Sequence, residues 1–417
     1  MFSLRKFIPN YLVNYAWHLP KAILANLYYH FPSKNLKIIG VTGTDGKTTT
    51  ATMLYHVLHE NGFKVALIST VSAKIGDEEI DTGFHVTSPA PWALQKLLQK
   101  IADKGYEYVV LETTSHGLAQ FRVWGVKYLG AIVTNITQDH LDYHKTWERY
   151  VLDKGKLFKN VLFSVLNIED KSYPILKKFA SGKILTYGLK DGELNKNNFS
   201  VKLKMLGEYN ILNALAVAAV AKELGIKEEK IRASLEDFAG VLGRMQVMYD
   251  EDFKVIVDFA HTPNALKVAL QELRKKTRKR LIAIFGCAGL RDHNRRKMGE
   301  VSVRFADITI ITAEDPRTEG VEKISEEIAT WAIKGGGQEM SKKEIQAKDK
   351  FKYPVYVKIN DREEAIAFAI KIAQKNDIIG VFGKGHERSM CYGTKECLWT
   401  DQEGVSKILK KYGKIKQ

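Results

Sequence analysis

The chain alternates between short apolar runs and longer stretches in which apolar residues recur at helical spacing. Four runs in the first half have the length and composition of buried strands: 36–43, 64–70, 106–113 and 129–136. Between them, 48–62 and 93–105 show helical spacing, and each ends at a glycine. Because strands that alternate with helices are typical of parallel sheets, this half predicts a parallel sheet covered by helices.

The same alternation restarts in the second half of the chain. A polar stretch at 181–200 predicts an edge hairpin or an excursion, and 207–225 predicts an alanine-rich helix. Four further strand-like runs follow: 253–260, 280–286, 306–313 and 377–383. We therefore place a domain boundary near Gly243. The predicted parts are an apolar N-terminal segment, a central domain and a C-terminal domain, at 1–35, 36–243 and 244–417.

The N-terminal segment is apolar, but prolines interrupt it. Residues 7–20 contain no charged side chain, and Pro9, Pro20 and Pro32 divide the segment into short pieces. No run reaches the roughly 18–20 apolar residues that a membrane helix needs. Two interpretations stay open: a helix packed on the first domain, or an interfacial helix lying on the inner face of a membrane.

The amino-acid composition limits the kinds of partner that the chain can bind and indicates the cellular compartment in which it works. Apolar residues make up 45% and charged residues 27%, which is an ordinary globular composition. The net charge of +16 favours anionic partners such as nucleotides, phosphorylated metabolites or an acidic membrane face. The basic residues form no stripe interleaved with aromatic residues, so we expect no nucleic-acid partner. Three cysteines are too few for a disulfide framework, which predicts reduced thiols in a cytoplasmic protein.

The strongest chemical signal is GVTGTDGKTTT at 40–50, between a predicted strand and a predicted helix. Val41 occupies the first glycine position of the strict P-loop pattern, but the physics is that of a P-loop. Gly43 and Gly46 let backbone N–H groups face phosphate oxygens, Lys47 adds a positive charge, and Thr48 can ligate Mg²⁺. The residues expected to hold the nucleotide phosphates are Gly43, Thr44, Asp45, Gly46, Lys47, Thr48 and Thr49.

With this loop the predicted fold class is α/β. A P-loop ATPase domain with a parallel sheet is followed by a Rossmann-like α/β C-terminal domain, and a short helical segment precedes both.

Two further motifs follow strands of the same predicted sheet. Glu112 lies where a strand ends, which suits a second Mg²⁺ ligand beside a P-loop. The polar and cationic cluster behind it suits an anionic substrate: Thr114, Ser115, His116, Gln120 and Arg122. Asp139, His140, Asp142 and His144 lie within six residues, a pattern that taken alone fits either a zinc site or a turn. Lys154 lies on a predicted helix, where an isolated lysine is normally exposed or ion-paired.

Taken together, the motifs resemble the Mur ligase family. TGTDGKTT, ETTSHGL, TNITQDHLDYH, GEYNILNALAVAA, LGRM, DFAHTPNAL, GCAGLRD and GKGHE occur in the family's order over residues 38–387. Within the family, the chain is most similar to the ligases that add the third residue of the peptidoglycan stem peptide. Several independent motifs in order are more specific than a P-loop alone.

The resemblance implies an ATP-dependent, Mg²⁺-requiring amide ligase. It would activate the D-Glu carboxylate of a muramoyl dipeptide as an acyl phosphate, and the amine of diaminopimelate or lysine would then attack. The implied catalytic residues are Lys47, Glu112, His140 and Lys154. The implied metal ligands are Thr48, Glu112, His140 and Lys154, the last after carbamylation by CO₂.

The resemblance also implies three groups of binding residues. Those near the adenine and ribose of ATP would be Asn210, Asn213, Arg244, Asp258 and His261. Those that contact the muramoyl peptide would be Thr87, Ser88, Thr114, Ser115, Gln120 and Arg122. Those that form the pocket for the incoming amino acid would be Arg291, Asp315, Arg317, Gly383 and Glu387.

Two departures from the family pattern qualify these expectations. Only 39 residues precede the P-loop glycine run, too few for the family's separate UDP-binding domain. UDP recognition would then fall to basic surface or a partner protein, or the acceptor would be linked to a lipid at the inner membrane face. In AEDPR, Asp315 stands where an asparagine is usual in diaminopimelate-adding ligases, and its negative charge beside Arg317 suits a diamino acid such as lysine.

Two alternative functions stay open. A folylpolyglutamate synthase is a related ligase that also lacks the UDP-binding domain. A non-catalytic Mur-like subunit of a larger complex would bind nucleotide without turnover. The catalytic pattern at Lys47, Thr48, Glu112, His140 and Lys154 argues against the second of these.

Overall fold

A computed structural model describes residues 10–80, 89–137, 141–205 and 207–415. The chain divides into two compact units, Met1–Gly240 and Val241–Gln417. The α/β fold class is confirmed, because each unit is built around a mostly parallel sheet with helices between its strands. Thr87, Ser88, Asp139 and His140, which the sequence motifs mark as candidates, lie outside the described residues.

The first unit is built on an eight-stranded sheet. Its strands are β1 (Lys37–Thr42), β2 (Val65–Ile68), β3 (Ala73–Ile75), β4 (Glu78–Ile80), β5 (Tyr108–Glu112), β6 (Tyr128–Val133), β7 (Phe163–Asn167) and β8 (Lys183–Tyr187). Their order is β4-β3-β2-β5-β1-β6-β7-β8. Neighbouring strands pair in parallel along the series β2-β5-β1-β6-β7-β8. Beyond β2, the strands β3 and β4 continue the sheet with antiparallel pairing.

Helices connect these strands. They are α1 (Asn10–Val13), α2 (Leu19–Tyr28), α3 (Lys47–Glu60), α4 (Pro91–Asp103), α5 (Ser115–Ala119), α6 (Leu141–His144), α7 (Trp147–Gly155), α8 (Tyr173–Leu176), α9 (Glu208–Glu223) and α10 (Glu228–Asp237). A π-helical turn, Asn14–His18, joins α1 to α2. The polar stretch at 181–200 contains β8 at the sheet edge and then an irregular excursion, as the second of its two interpretations predicted.

The second unit repeats the architecture. Its strands are β9 (Gln246–Asp250), β10 (Lys254–Asp258), β11 (Leu281–Phe285), β12 (Ile308–Ile311), β13 (Gln338–Glu339), β14 (Val355–Lys358) and β15 (Ile378–Phe382), in the order β13-β14-β12-β11-β15-β10-β9. Only β9 pairs in antiparallel fashion within this sheet. A separate hairpin follows, formed by β16 (Ser389–Tyr392) and β17 (Lys395–Leu398). The helices are α11 (Pro263–Lys276), α12 (Met298–Phe305), α13 (Val321–Lys334), α14 (Lys342–Gln346), α15 (Arg362–Ile372) and α16 (Asp401–Lys411).

The cores explain why these segments fold as they do. The central strands of both sheets are buried on both faces, so they are nearly continuous runs of Val, Ile and Leu. In parallel α/β sheets the loops beyond the carboxyl ends of the strands form the ligand crevice. In the first unit the adjacent strands β5, β1 and β6 end there, and in the second unit β12, β11 and β15 do so.

Candidate active site

The loop between β1 and α3 has the backbone of a phosphate-binding loop. Gly43 has a φ of 151°, and a Cβ at this position would lie 1.8 Å from Thr134 Oγ1. Gly46 has a φ of 79°, and a Cβ there would lie 2.7 Å from Asn213 Oδ1. Both positions therefore require glycine. Backbone and side-chain atoms of Asn135 accept hydrogen bonds from the N–H groups of Thr44 and Asp45, at 2.7 and 3.0 Å, which fixes the loop's shape.

The helix that follows this loop supplies positive charge. Lys47 is the first residue of α3, and its Nζ donates to Thr44 O at 2.7 Å, so the ammonium lies across the loop's own backbone. The helix N-terminus adds the partial positive charge of its free N–H groups. Thr48 and Thr49 occupy the next two positions and are buried. These features fit the phosphate groups of a nucleotide.

Thr48 and Glu112 form a pair of hard oxygen ligands beside the loop. Thr48 Oγ1 donates to Glu112 Oε1 at 3.2 Å, and Glu112 Oε2 accepts from the Thr70 N–H at 2.9 Å. A hydroxyl and one carboxylate suit Mg²⁺, which completes its shell with waters and phosphate oxygens. Within 10–80, 89–137, 141–205 and 207–415, no three His, Cys, Asp or Glu side chains form a metal cluster. The Thr48–Glu112 pair fits an ion whose remaining ligands come from water and from the nucleotide.

Lys154 is buried against the phosphate loop. Its side chain projects from α7, and Nζ donates to Gly43 O at 2.6 Å. The same ammonium lies 4.4 Å from the centre of the Tyr150 ring. Lys154 is 1% exposed, so the exposed lysine that the isolated pattern favoured is not what the structure shows. Tertiary packing brings Lys154 to the site; its carbamylation stays a prediction.

A serine, a histidine and an aspartate connect α5 to α7. His144 Nε2 lies 3.1 Å from Ser115 Oγ, and His144 Nδ1 lies 2.8 Å from Asp153 Oδ2. Burial raises the pKa of Asp153, but hydrogen bonds from His144 and Lys156 outweigh it and hold this pKa below its ordinary value. Both ring nitrogens of His144 are therefore hydrogen-bonded within the protein, and these bonds tie α6 to α5 and α7.

The remaining muramoyl-peptide candidates lie on α5 and just beyond it. Thr114 caps α5, because its side chain accepts a hydrogen bond from the Gly117 N–H at 3.0 Å. Arg122 donates through Nε and a terminal nitrogen to Gln120 Oε1, at 3.0 and 2.8 Å. Burial lowers the pKa of Arg122, although the group remains a cation at neutral pH. Gln120 and Arg122 are therefore hydrogen-bonded to each other just beyond α5, and Ser115 begins that helix near the end of β5.

The two asparagines predicted near the adenine are brought to the phosphate loop. Asn210 and Asn213 lie one turn apart on α9 and are buried. Asn213 Nδ2 donates to Asn210 Oδ1 at 3.1 Å, and the Asn213 amide lies against Gly46. The alanine-rich helix thus packs against α3 and places the Asn213 amide at the nucleotide loop, with Asn210 hydrogen-bonded behind it.

In the second unit the nucleotide candidates gather around Phe259. The Arg244 guanidinium lies 4.5 Å from the centre of this ring, and the imidazoles of His261 and His386 lie 4.4 and 4.6 Å from it. Burial lowers the pKa of His261 to about 4 and that of His386 to about 3, so both are neutral at pH 7. Asp258 accepts hydrogen bonds from the N–H groups of Met245 and Ala260, at 2.7 and 2.8 Å. Phe259 and His386 were not among the candidates that the sequence motifs mark.

The amino-acid candidates surround a buried lysine that the motif analysis did not single out. Lys384 is fully buried, and its Nζ donates to Asp315 Oδ1 at 2.8 Å and to Glu387 Oε2. The Cys391 N–H also donates to Asp315 Oδ1, at 3.0 Å. Burial lowers the pKa of Lys384, but the carboxylates of Glu387 and Asp315 hold it above its ordinary value. The negative charge that the sequence places beside Arg317 is therefore compensated within the protein.

The hairpin after β15 fixes Arg317 and its neighbours. The Arg317 N–H donates to Cys391 O at 2.9 Å, and Arg317 O accepts from the Gly393 N–H at 2.7 Å. Burial and the positive charge of Arg317 lower the pKa of Arg291. Two guanidinium groups and the Lys384–Glu387 pair therefore belong to one region at the carboxyl ends of β12 and β15.

A buried ion pair holds the ends of these two strands together. Arg362 is buried and forms two hydrogen bonds of 2.7 Å with the Asp401 carboxylate. The same guanidinium donates to Ala313 O at 3.1 Å and to Phe382 O at 2.9 Å. It therefore joins the loops that lead to Asp315 and Lys384. No local sequence pattern marks Arg362, since its partners lie on three separate segments.

Comparison with known proteins decides the family. Residues 41–221 match the Mur ligase middle domain, and residues 243–385 match the Mur ligase glutamate ligase domain. A relative from Clostridium acetobutylicum is named UDP-N-acetylmuramoyl-L-alanyl-D-glutamate--2,6-diaminopimelate ligase 1. It is 37% identical over 93% of this chain and 81% of its own length. The chain belongs to the Mur ligase family.

Solved structures agree with this Mur ligase assignment. One, titled as the structure of a UDP-N-acetylmuramoyl-L-alanyl-D-glutamate--2,6-diaminopimelate ligase, covers 91% of this chain and 79% of its own, with 29% identity and a TM-score of 0.62. A folylpolyglutamate synthase from Mycobacterium tuberculosis, titled as complexed with ADP and AMPPCP, covers 88% of this chain and 92% of its own. It has a TM-score of 0.68 but only 15% identity, so it shows the shared fold alone.

Family membership confirms the predicted class of chemistry. This Mur ligase is an ATP-dependent, ADP-forming ligase, and its cofactors are ATP and Mg²⁺. The phosphate loop, Thr48 and Glu112 provide sites that fit both. The role of each individual residue stays a prediction.

Glu314 gives this Mur ligase a stability that falls as the pH rises. Burial and the neighbouring Glu387 raise the pKa of Glu314 to about 7, against the opposing effect of Lys384. The folded state therefore holds a proton that the unfolded state releases near pH 4.5, and stability is lost as the pH rises through 7. We expect Glu314→Gln to stabilise the protein by about 3 kcal/mol at pH 8 and by little at pH 4.5.

Thermal unfolding of the wild type and Glu314→Gln across this pH range tests the prediction. Glu148→Gln, at an exposed position on α7, is the matched control, and its effect should not change with pH. A Glu314→Gln effect that is the same at pH 4.5 and pH 8 would contradict the raised pKa.

Proposed function

We propose that this Mur ligase adds a diamino acid to the D-Glu carboxylate of a muramoyl dipeptide in peptidoglycan precursor synthesis. The leading substrate is 2,6-diaminopimelate, the amino acid in the names of the curated relatives at 34–37% identity. The observation that carries the proposal is the assembly of the phosphate loop, the Thr48–Glu112 pair and Lys154 at one sheet edge. The polar residues Ser115, Gln120 and Arg122 follow the adjacent strand.

The first half-reaction needs phosphate binding and carboxylate activation. Backbone N–H groups of the loop and Lys47 hold the phosphates, and Thr48 with Glu112 would hold Mg²⁺. Mg²⁺ held by these two residues would supply charge that screens the repulsion between the γ-phosphate and the attacking carboxylate. Arg122, which is oriented by Gln120, offers a cation to the acidic dipeptide. The products of this step are ADP and an acyl phosphate.

The second half-reaction needs a positioned amine. Arg317 and Arg291 offer guanidinium groups to a carboxylate of the diamino acid, and Glu387 offers a carboxylate to its ammonium group. Glu387 already receives a hydrogen bond from Lys384, so the incoming ammonium would share it. Because Lys384 compensates Asp315, the pocket keeps its positive charge for a substrate carboxylate. This balance favours diaminopimelate over lysine, which lacks the second carboxylate.

We also propose that ligation takes place next to the inner face of the membrane. The muramoyl dipeptide would be carried there by UDP or by a lipid, and a partner protein would assist UDP recognition. The basic composition of the chain supports an anionic carrier of either kind.

The decisive assay measures phosphate release and product mass with purified full-length protein. UDP-N-acetylmuramoyl-L-Ala-D-Glu is offered with meso-diaminopimelate, L-lysine or L-glutamate, and a lipid-linked dipeptide and a folate with glutamate serve as separate arms. We expect phosphate release that requires the muramoyl dipeptide and diaminopimelate, with a product heavier by one diaminopimelyl residue. Turnover only with folate and glutamate would overturn the proposal, as would ATP binding without turnover in every arm.

A further inference from the structure

The N-terminal helix has its small residues inside and its large apolar residues outside. In α2, Ala22, Ala25 and Asn26 are fully buried. Leu24, Leu27 and Tyr28 on the opposite face are 56%, 54% and 67% exposed. An ordinary surface helix does the reverse, because burial of large apolar side chains is what holds it in place. The outer face of this helix therefore presents apolar surface to its surroundings.

This outer face is larger than one helix turn. Its members recur every three to four residues and continue into the preceding turn and onto α4. We define the outer face as Trp17, Leu24, Leu27, Tyr28 and Trp92, with Lys21 in its middle. The Tyr28 and Trp92 rings lie 5.4 Å apart, and Trp17 is 59% exposed. Exposed large apolar side chains grouped on one helix face mark an interaction surface.

Hydrogen bonds on the inner side fix the helix in this orientation. Asn26 Nδ2 donates to Trp124 O at 2.8 Å, and Ser33 Oγ donates to Gly125 O at 3.1 Å. At the other end, Asn14 Nδ2 donates to Tyr143 OH at 3.0 Å. Rotation of the helix to bury its large side chains would break these contacts. The exposure is therefore built into the fold.

Charge identifies the kind of partner. The first 44 residues contain no Asp or Glu, so the basic residues of this segment meet no acidic side chain of their own segment. Lys21 Nζ lies 3.9 Å from the centre of the Trp17 ring, inside the outer face. Two copies of the chain joined through this face would bring two Lys21 ammonium groups into apolar surroundings, and the segment that carries Lys21 supplies no carboxylate to pair with them. Leucine, tryptophan, tyrosine and lysine together are typical of helices that lie on a membrane surface.

We propose that the outer face of α2 binds an anionic phospholipid surface, with Trp17, Leu24 and Tyr28 among the acyl chains and Lys21 at the headgroups. The helix lies in the plane of the surface and does not cross it. Among the described residues no helix is long and apolar enough to span a bilayer. The inference deepens the proposed placement of this ligase at the membrane by naming the surface and the lipid charge it needs.

Cosedimentation of the full-length protein with vesicles tests the proposal. One vesicle preparation contains phosphatidylcholine alone, and the other contains equal parts of phosphatidylcholine and phosphatidylglycerol. We expect binding to the mixed vesicles, a loss of about tenfold or more in partition coefficient for Leu24→Ser with Leu27→Ser, and a loss of about fivefold for Lys21→Glu. The Lys21→Glu loss should vanish on the neutral vesicles.

The matched control is Leu162→Ser with Leu398→Ser, two leucines that are 70% and 96% exposed elsewhere on the chain. This control should bind as the wild type does, and both double variants should keep the wild-type melting temperature because the altered side chains are exposed. Equal vesicle binding by the wild type and the Leu24→Ser, Leu27→Ser variant would overturn the proposal. So would a dimer in analytical ultracentrifugation that this variant dissociates, since the face would then bind a second copy.

The vesicle test is independent of turnover. A protein that binds anionic vesicles but fails every arm of the ligase assay overturns the proposed function and leaves the membrane surface standing. A protein that ligates a soluble muramoyl dipeptide but does not bind vesicles overturns the proposed membrane surface and leaves the ligase function standing.

Discussion

Replacing Lys154 by alanine lowers the kcat of ligation by about 10²–10³-fold. In the structure Lys154 is the buried donor to Gly43 O at 2.6 Å, so its removal leaves a carbonyl of the phosphate loop without this hydrogen bond. The resemblance to Mur ligases adds that this lysine becomes a carbamate and helps to hold Mg²⁺. Both roles predict that the substitution lowers kcat. The measurement is phosphate release at saturating ATP and acceptor, with the melting temperature measured in parallel.

Two further variants separate the roles of Lys154. Lys154→Arg keeps a donor for Gly43 O but has no amine that CO₂ can carbamylate at neutral pH. We expect it to remain as slow as Lys154→Ala, and we expect bicarbonate to stimulate the wild type alone. Lys159→Ala, at an exposed position just beyond the helix that carries Lys154, is the matched control and should keep its activity. Full activity in Lys154→Arg would assign the residue to the loop hydrogen bond and contradict carbamylation.

Replacing Lys384 by methionine destabilises the protein by about 3–5 kcal/mol. The substitution removes the cation that lies between Asp315 and Glu387, and Asp315 is almost fully buried. A buried carboxylate without its partner must either stay charged at a high cost or take up a proton. For a unit of this size the loss corresponds to a fall of about 6–20 °C in melting temperature. Calorimetry of the full-length protein measures it.

A double substitution shows whether the unpaired carboxylate is the cause. Lys384→Met with Asp315→Asn removes both charges, so we expect it to recover a large part of the stability that Lys384→Met loses. Lys342→Met, which breaks an exposed ion pair with Glu364, is the control and should cost at most about 1 kcal/mol. If the single and double variants melt at the same temperature, the Lys384–Asp315 pair does not stabilise the unit.

The local sequence pattern was sufficient to predict a feature wherever that feature depends on residues that are neighbours in the chain. The phosphate loop was predictable because Gly43, Gly46, Lys47 and Thr48 act through backbone conformation and a helix start that adjoin in sequence. The α/β fold was predictable for a similar reason, since buried parallel strands require continuous apolar runs. Glu112 followed from both, because strand ends in such a sheet converge on one edge.

Where a sequence pattern fits two structures equally well, the sequence did not decide between them. The stretch at 181–200 suited a hairpin or an excursion, and its pairing partner settled the matter: β8 extends the sheet in parallel beside β7. The cluster at 139–144 suited a zinc site or a turn. The position of the His144 side chain was decided by Ser115 and Asp153. These residues come from other segments and form hydrogen bonds with its two ring nitrogens.

The sequence by itself determined the family, the α/β alternation with eight of its buried strands, and the chemistry of the nucleotide loop. Only the tertiary structure decided that Lys154 reaches Gly43 across 111 positions of chain, and that Lys384 compensates Asp315 across 69. It alone decided that α2 turns its alanines inward and its leucines outward. The physical reason is common to all three. Strand, helix and loop patterns arise from interactions between near neighbours in the chain, whereas a buried side chain takes its partner from whatever the packed sheet places opposite it.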